Sequence, residues 1–234
     1  MGAWLKWGAA LVISGAAAVG AQFQLAKAPP PVVDVNMLFV PPKELTLGAA
    51  TGYQNMIANG LWLGLLQYYG DRLSVDMAQK TVNVPQMFDL ITDLDPQFYF
   101  AYWLGTWAIG DAGDGRGAVK LLEKGERLNP GDYQYPYLMG FAKFLFLTDF
   151  AGAAKDFERA AVLPGAPRFA QTMAARMLQK TGQDDLALRL WQNMYNQATD
   201  KATKQIAKRN VERIEAEMKG ERERAFRINR DKAR

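Results

Sequence analysis

The chain has 234 residues, 28 of them Lys or Arg and 24 Asp or Glu, and it contains neither histidine nor cysteine. These absences exclude disulfides, thiolate nucleophiles, cysteine-bound zinc and every catalytic relay that needs an imidazole. Residues 201–234 hold 12 basic and 6 acidic residues, whereas residues 1–200 hold 16 and 18. We therefore expect a near-neutral body with a basic tail, in a protein that binds partners rather than catalyses a reaction.

The first 27 residues contain a long uncharged segment of moderate hydrophobicity, rich in Ala and Gly. Twenty uncharged residues run from Trp7 to Ala26 between Lys6 and Lys27, and as a helix they would span ~30 Å, the thickness of a bilayer core. The favoured interpretation is one transmembrane anchor in a bacterial-type inner membrane, with a cytoplasmic N-terminus and a periplasmic or exported domain. The alternative is a secretory signal cleaved after Ala21, which would release a soluble exported protein.

Small residues share one face of this segment and predict close helix packing in the membrane. The general Ala/Gly richness of signal segments explains the same pattern equally well. The residues concerned are Gly8, Gly15, Ala16 and Gly20.

Residues 28–50 are predicted to be a Pro-rich extended linker, because prolines at 29–31 and 41–42 disfavour a helix between them. The apolar residues 37–40 within it are expected to pack on the chain's own domain. From Thr51 to Tyr69 the spacing becomes helical, and apolar residues occur on nearly every side. Such a helix is buried on both sides or covered by a partner.

An internal repeat of about 34 residues dominates the rest of the chain. Phe88, Leu122, Phe157 and Trp191 follow one another at intervals of 34, 35 and 34 residues. Three further sets keep the same interval: Pro96, Pro130 and Pro164; Ala118, Ala153 and Ala187; Gly105, Gly140 and Ala175. A period of this length indicates stacked helical hairpins, none of which can bury its apolar face alone.

The order of small, bulky and Pro positions resembles the tetratricopeptide repeat (TPR) over residues 53–198. The last unit lacks its closing Pro, and the first has extra residues around 71–84. The resemblance implies an all-α, right-handed solenoid of three to four helical hairpins over 51–198. The transmembrane helix predicted from the uncharged N-terminal segment would precede it. It also implies a concave groove, lined by the first helix of each hairpin, that takes peptides or helices from partner proteins.

The repeat register assigns residues to that groove, and the aromatic run 97–107 contributes several of them. Aromatic residues and Arg dominate interface energies. The Lys/Asn clamp with which co-chaperone repeats hold acidic C-terminal peptides is missing, so we do not expect that ligand. The predicted groove residues are Tyr99, Tyr102, Thr106, Gln134, Tyr137, Phe141, Arg176 and Gln179.

Residues 199–234 are predicted to be a basic capping helix and tail. Beyond Gly220 the tail either binds an anionic surface or is simply solvated. Nucleic acid is not expected, because no aromatic residues interleave with the basic ones in the manner of a stacking platform. The basic residues concerned are Arg222, Arg224, Arg227 and Arg230.

A scaffold or adaptor, an accessory subunit of a larger membrane complex, is the function that these features favour. We expect protein partners, no cofactor, no metal and no small-molecule substrate. A carboxylate-based enzyme would have to use the pairs Asp93/Asp95 or Asp184/Asp185, which lie at helix boundaries where Asp commonly caps a helix. The Gly-rich loop 110–117 fits neither a phosphate-binding nor a calcium-binding pattern and is predicted to connect two helices.

Overall fold

The computed structural model describes residues 38–70 and 83–232, which fold into ten α-helices without a strand. The helices are α1 (Lys43–Ala49), α2 (Gln54–Gly70), α3 (Val84–Leu94), α4 (Tyr99–Asp111), α5 (Gly115–Leu128), α6 (Gln134–Phe146), α7 (Phe150–Ala161), α8 (Phe169–Lys180), α9 (Asp184–Gln197) and α10 (Lys201–Lys232).

The second helix of the two central hairpins begins in the same way. Asp114 precedes α5 and accepts a hydrogen bond from the Gly117 amide at 2.8 Å, and Asp149 precedes α7 and accepts one from the Gly152 amide at the same distance. Each carboxylate satisfies an amide that the first turn of a helix leaves unpaired. The loop 110–117 is therefore the helix connector that the sequence predicts, with Gly113 at φ +92° completing its turn.

Helices pack in chain order, as in a TPR-like array. The hairpins α2–α3, α4–α5, α6–α7 and α8–α9 stack on their neighbours, and α10 packs against α9. In the first part of the array α3 also contacts α5, and α4 contacts α6. The predicted all-helical fold of stacked helical hairpins is confirmed for the described residues.

The repeat positions are closely packed. Phe88, Leu122, Phe157 and Trp191 are all fully buried on α3, α5, α7 and α9, the second helices of their hairpins. A methyl group placed on Gly140 would lie 2.8 Å from the Phe157 ring, so only glycine permits this approach. The 34-residue period is therefore the spacing of one helical hairpin and of its packing contacts.

The segment predicted as extended linker is partly helical. Residues 43–49 form α1 directly after Pro42, a residue tolerated at helix starts. Leu38 is buried and Val40 is half-buried against the core of the domain, as predicted for residues 37–40. Phe39 corrects that prediction, because it is 76% exposed, and residue 37 lies outside the described residues. Lys43 anchors α1 to α3 through ion pairs with Asp89 and Asp93.

The tail is helical in the structure, since α10 continues to Lys232. Its first half is held by Ala207 and Ile214, both fully buried, whereas Phe226 beyond Gly220 is 70% exposed. No helix within residues 38–70 and 83–232 is long and apolar enough to cross a bilayer. The predicted anchor, with Gly8, Gly15, Ala16 and Gly20, and most of the extra segment around 71–84 lie outside the described residues.

Candidate partner-binding groove

A groove of about 710 Å³ opens between α6, α8 and α10. The groove opens here because α6, which packs against α4, has few contacts with α8. The capping helix α10 borders the gap. The lining residues are Phe141, Phe144, Phe169, Met173, Arg176, Met177, Gln179, Lys180, Asp184, Arg213 and Glu217.

The floor of the groove is aromatic and thioether-rich. The Phe141 ring meets the buried Phe157 ring edge-on at a centroid distance of 5.0 Å and stacks with Phe169 at 6.5 Å. Met173 and Met177 are buried beside them, whereas Phe169 is 45% exposed. Aromatic rings provide large apolar contact area and methionine adapts its shape to an incoming side chain, so the floor suits an apolar anchor of a partner.

The rim carries charged side chains of both signs, and two of them, Arg213 and Glu217, neutralise each other. The Arg213 guanidinium binds Glu217 at 3.0 Å and donates to the Gln179 side-chain oxygen at 3.1 Å. Within the described residues, Arg176 and Lys180 have no ion-pair partner, and neither does Asp184. The unpaired rim charges therefore sum to +1 beside an apolar floor.

Three of the eight predicted groove residues, Phe141, Arg176 and Gln179, line this groove. Tyr137 is half-buried under its floor, with its ring edge-on to Phe141 at 5.0 Å. Tyr99 and Gln134 are half-buried but lie away from the groove lining.

Tyr102 and Thr106 correct the prediction, because both are fully buried and out of reach of a partner. The Thr106 hydroxyl donates to the Tyr102 carbonyl at 2.7 Å, and the Tyr102 ring packs edge-on against Tyr135 at 5.2 Å. Since α4 packs on both α3 and α6 as well as α5, these side chains are enclosed. Burial raises the pKa of Tyr102 to about 12, so its phenol stays neutral.

The sequence prediction omits several residues that line the groove, and one sequence signal would have identified two of those at the rim. The Arg213 guanidinium donates a hydrogen bond to the side chain of Gln179, 34 residues earlier, which is one repeat length. This indicates that α10 occupies the position that the first helix of another hairpin would take. Extending the repeat register into α10 would have placed Arg213 and Glu217 beside the groove. No sequence signal distinguishes Phe144 and Phe169 from ordinary core residues.

The acidic pairs considered for catalysis are engaged in structural roles. Asp93 forms ion pairs with Lys43 and with Lys124, the latter at 2.6 Å, and Asp89 shares both lysines at 2.7 Å. Burial would raise the pKa of Asp89, but hydrogen bonds from Lys124 and Lys43 outweigh it and hold the pKa below its ordinary value. Asp95 accepts a hydrogen bond from the Gln97 amide at 3.0 Å, in the turn after α3.

The other pair, Asp184 and Asp185, occupies the first turn of α9, where carboxylates are favoured by the helix dipole. Neither pair forms a shared pocket of carboxylates. The described residues hold no cluster of three or more side chains suited to a metal ion. Arg222, Arg224, Arg227 and Arg230 are exposed near the end of α10.

No protein-family model and no curated protein matches this sequence. Among the solved structures similar to the chain is a crystal structure of MamA, which aligns over 64% of this chain and 99% of its own length. The identity in that alignment is 15% and the TM-score is 0.38.

Proposed function

We propose that this protein is a non-enzymatic scaffold whose helical hairpins, continued as a right-handed solenoid, hold a segment of a partner protein in the groove between α6, α8 and α10. The observation that carries the proposal is the combination in one groove of an apolar floor, formed by Phe141, Phe169 and two methionines, with unpaired rim charges. Hydrophobic anchors surrounded by polar rims are typical of protein interfaces.

The partner segment has a definable chemistry. A long aliphatic or aromatic side chain fits the floor, and a carboxylate next to it would meet Arg176 and Lys180 at the rim. Arginine offers a planar fork of donors to a carboxylate, which favours an acidic residue at a fixed distance from the anchor. We therefore expect an amphipathic segment with acidic residues beside its apolar face.

The place of this scaffold in the cell follows from the uncharged segment 7–26. Its length suits a retained membrane span, which would make the protein an accessory subunit of a membrane complex with its repeats on the exported side. The alternative is a soluble exported adaptor released by cleavage. The intact mass of the purified protein distinguishes the two, because cleavage after Ala21 removes the N-terminal residues.

The groove is tested by substituting two of its residues, each compared with the same kind of substitution at an exposed residue outside the groove. Phe169 and Leu186 are both 45% exposed, but only Phe169 lines the groove. Arg176 and Arg189 are both exposed arginines without an ion-pair partner among the described residues, and only Arg176 lines the groove. The groove variants are Phe169→Ala and Arg176→Glu, and the matched controls are Leu186→Ala and Arg189→Glu.

We expect the groove variants to lose most of the proteins that the full chain retains in a mild-detergent pull-down quantified by mass spectrometry. Truncating a hot-spot residue costs about 2 kcal/mol or more of binding, equivalent to at least about a thirtyfold loss of affinity. The controls should retain wild-type recovery. Equal recovery by groove and control variants would exclude this groove as the binding site.

A further inference from the structure

Helix α2 presents an apolar face that no other described part of the chain covers. All 17 of its residues are uncharged, which is unusual for a helix at the end of a repeat array. Ala58 and Leu65 are fully buried on the side that packs against α3. On the opposite side, Met56 and Leu63 are 65% and 61% exposed.

The exposed residues form one continuous stripe. Met56, Gly60, Leu63 and Gln67 follow at intervals of four, three and four residues, the spacing of one helical face. Tyr53 precedes the stripe at 64% exposure, and Leu66 lies at its edge at 40% exposure. The stripe is thus an ordered apolar surface on a helix whose opposite side is already fixed by the fold.

Among residues 38–70 and 83–232, no atom packs against Gly60 or Gly64. A methyl group at either position would meet no atom within 4 Å, whereas one at Gly125 would meet the Tyr135 ring at 2.2 Å. Glycine in a helix interior is about 1 kcal/mol less favourable than alanine. Gly60 in the exposed stripe and Gly64 beside it leave a shallow surface that another helix can approach closely.

We propose that the exposed face of α2 is an interface between two copies of this chain. A twofold axis brings the same patch of both copies together, so a charge near the axis would face an identical charge on the other copy and be repelled by it. The patch avoids this repulsion because α2 carries no charge. A helix that lies on a bilayer surface instead usually has a Lys/Arg-rich face, which α2 lacks.

The available area suits a weak contact. Tyr53, Met56, Leu63 and Leu66, which are 40–65% exposed, together offer about 460 Å² per copy at about 200 Å² for a fully exposed large side chain. Two copies would then bury about 900 Å² through these four side chains, slightly below the ~1,000 Å² expected of a stable interface and in the range of weak, transient contacts. The interface therefore predicts a reversible dimer.

The absence of cysteine makes this proposal directly testable in the full chain. Leu63→Cys places a single thiol in the stripe, and Val162→Cys places one at the end of α7, where the side chain is 82% exposed. Both variants are oxidised in mild detergent and analysed on non-reducing gels. We expect Leu63→Cys to give a disulfide-linked species of twice 26.1 kDa, and Val162→Cys to remain monomeric.

Sedimentation equilibrium of Leu63→Glu, with Val162→Glu as the control, measures the strength of the interface. Two carboxylates facing each other across the axis should raise the dissociation constant of the dimer about a hundredfold, and the control should leave it unchanged. A wild-type chain that is monomeric at every concentration would overturn the proposal. So would a dimer unaffected by Leu63→Glu, or a Leu63→Cys product joined to a different protein.

Discussion

The contact between Gly125 and Tyr135 provides a quantitative test of the hairpin packing. A methyl group on Gly125 would lie 2.2 and 2.5 Å from two carbons of the Tyr135 ring and 2.9 Å from the Tyr102 ring. Both rings are fully buried and meet edge-on at 5.2 Å. Asn129 also donates a hydrogen bond to the Tyr135 hydroxyl at 3.0 Å, so the ring has no free space into which to move.

We expect Gly125→Ala to lower the free energy of unfolding by about 2 kcal/mol. The clash costs about 3 kcal/mol, the upper end of the usual range for overpacking, and the better helix propensity of alanine offsets about 1 kcal/mol. The same substitution in a Tyr135→Ala background should be nearly neutral, because the ring atoms at 2.2 and 2.5 Å are gone and the better helix propensity of alanine offsets the remaining 2.9 Å contact with Tyr102. Urea unfolding of all four proteins, followed by far-UV circular dichroism, gives the coupling between the two sites.

A coupling of about 2 kcal/mol is expected, well beyond the ~0.5 kcal/mol within which independent sites add. Equal effects of Gly125→Ala in both backgrounds would refute the steric explanation. The next repeat of the chain carries the corresponding pair of changes in its natural sequence. Ala160 and Ala170 stand 35 residues after Gly125 and Tyr135, and both are fully buried, so a larger residue in place of glycine accompanies a smaller one in place of tyrosine.

Two further predictions concern the ion pairs between helices. Asp156, whose side chain is 5% exposed, forms ion pairs with Lys143 at 2.6 Å and with Arg159 at 2.8 Å. Asp156→Asn should lower the free energy of unfolding by about 3 kcal/mol, as measured in urea, because it leaves Lys143 unpaired. A loss below 1 kcal/mol would show that solvent compensates the lysine. The pKa of Asp89 is held below its unfolded value of 3.8, so its stabilising contribution is present above that pH and is lost on acidification through the lower, folded pKa. The stability difference between wild type and Asp89→Asn should therefore be constant near neutrality and shrink below pH 3.8, and a difference independent of pH would contradict this assignment.

The sequence predicts the hairpin repeat well because one physical cause acts at every repeat. Each hairpin must bury a bulky residue of its second helix, so Phe88, Leu122 and Phe157 recur at a fixed interval and are all fully buried. Close approach of helices demands glycine or alanine at equally fixed positions. Such requirements are local to neighbouring hairpins, and a single sequence therefore displays them.

The groove is less predictable because it depends on a departure from that regularity. The repeat register treats α4, α6 and α8 as equivalent, and so it assigns Tyr102 and Phe141 to the same surface. In the structure α4 contacts α6 closely, whereas α6 has few contacts with α8. Tyr102 is consequently enclosed and Phe141 lines an opening. The spacing between stacked hairpins depends on side-chain volumes along the whole contact, which periodicity does not encode.

Helix α2 has one feature that the sequence predicts and one that only the structure shows. The sequence predicts a helix that is apolar on nearly every side, and hence covered on both sides or by a partner. The structure assigns one side, with Ala58 and Leu65 against α3, and leaves Met56 and Leu63 exposed. Among the described helices, the α2–α3 hairpin has a stacked hairpin on one side only, and solenoids usually close such an end with a polar cap. The C-terminal end has that cap in the charged helix α10, whereas α2 has no charge at all. This asymmetry between the two ends is what a chain that pairs through its first hairpin would require.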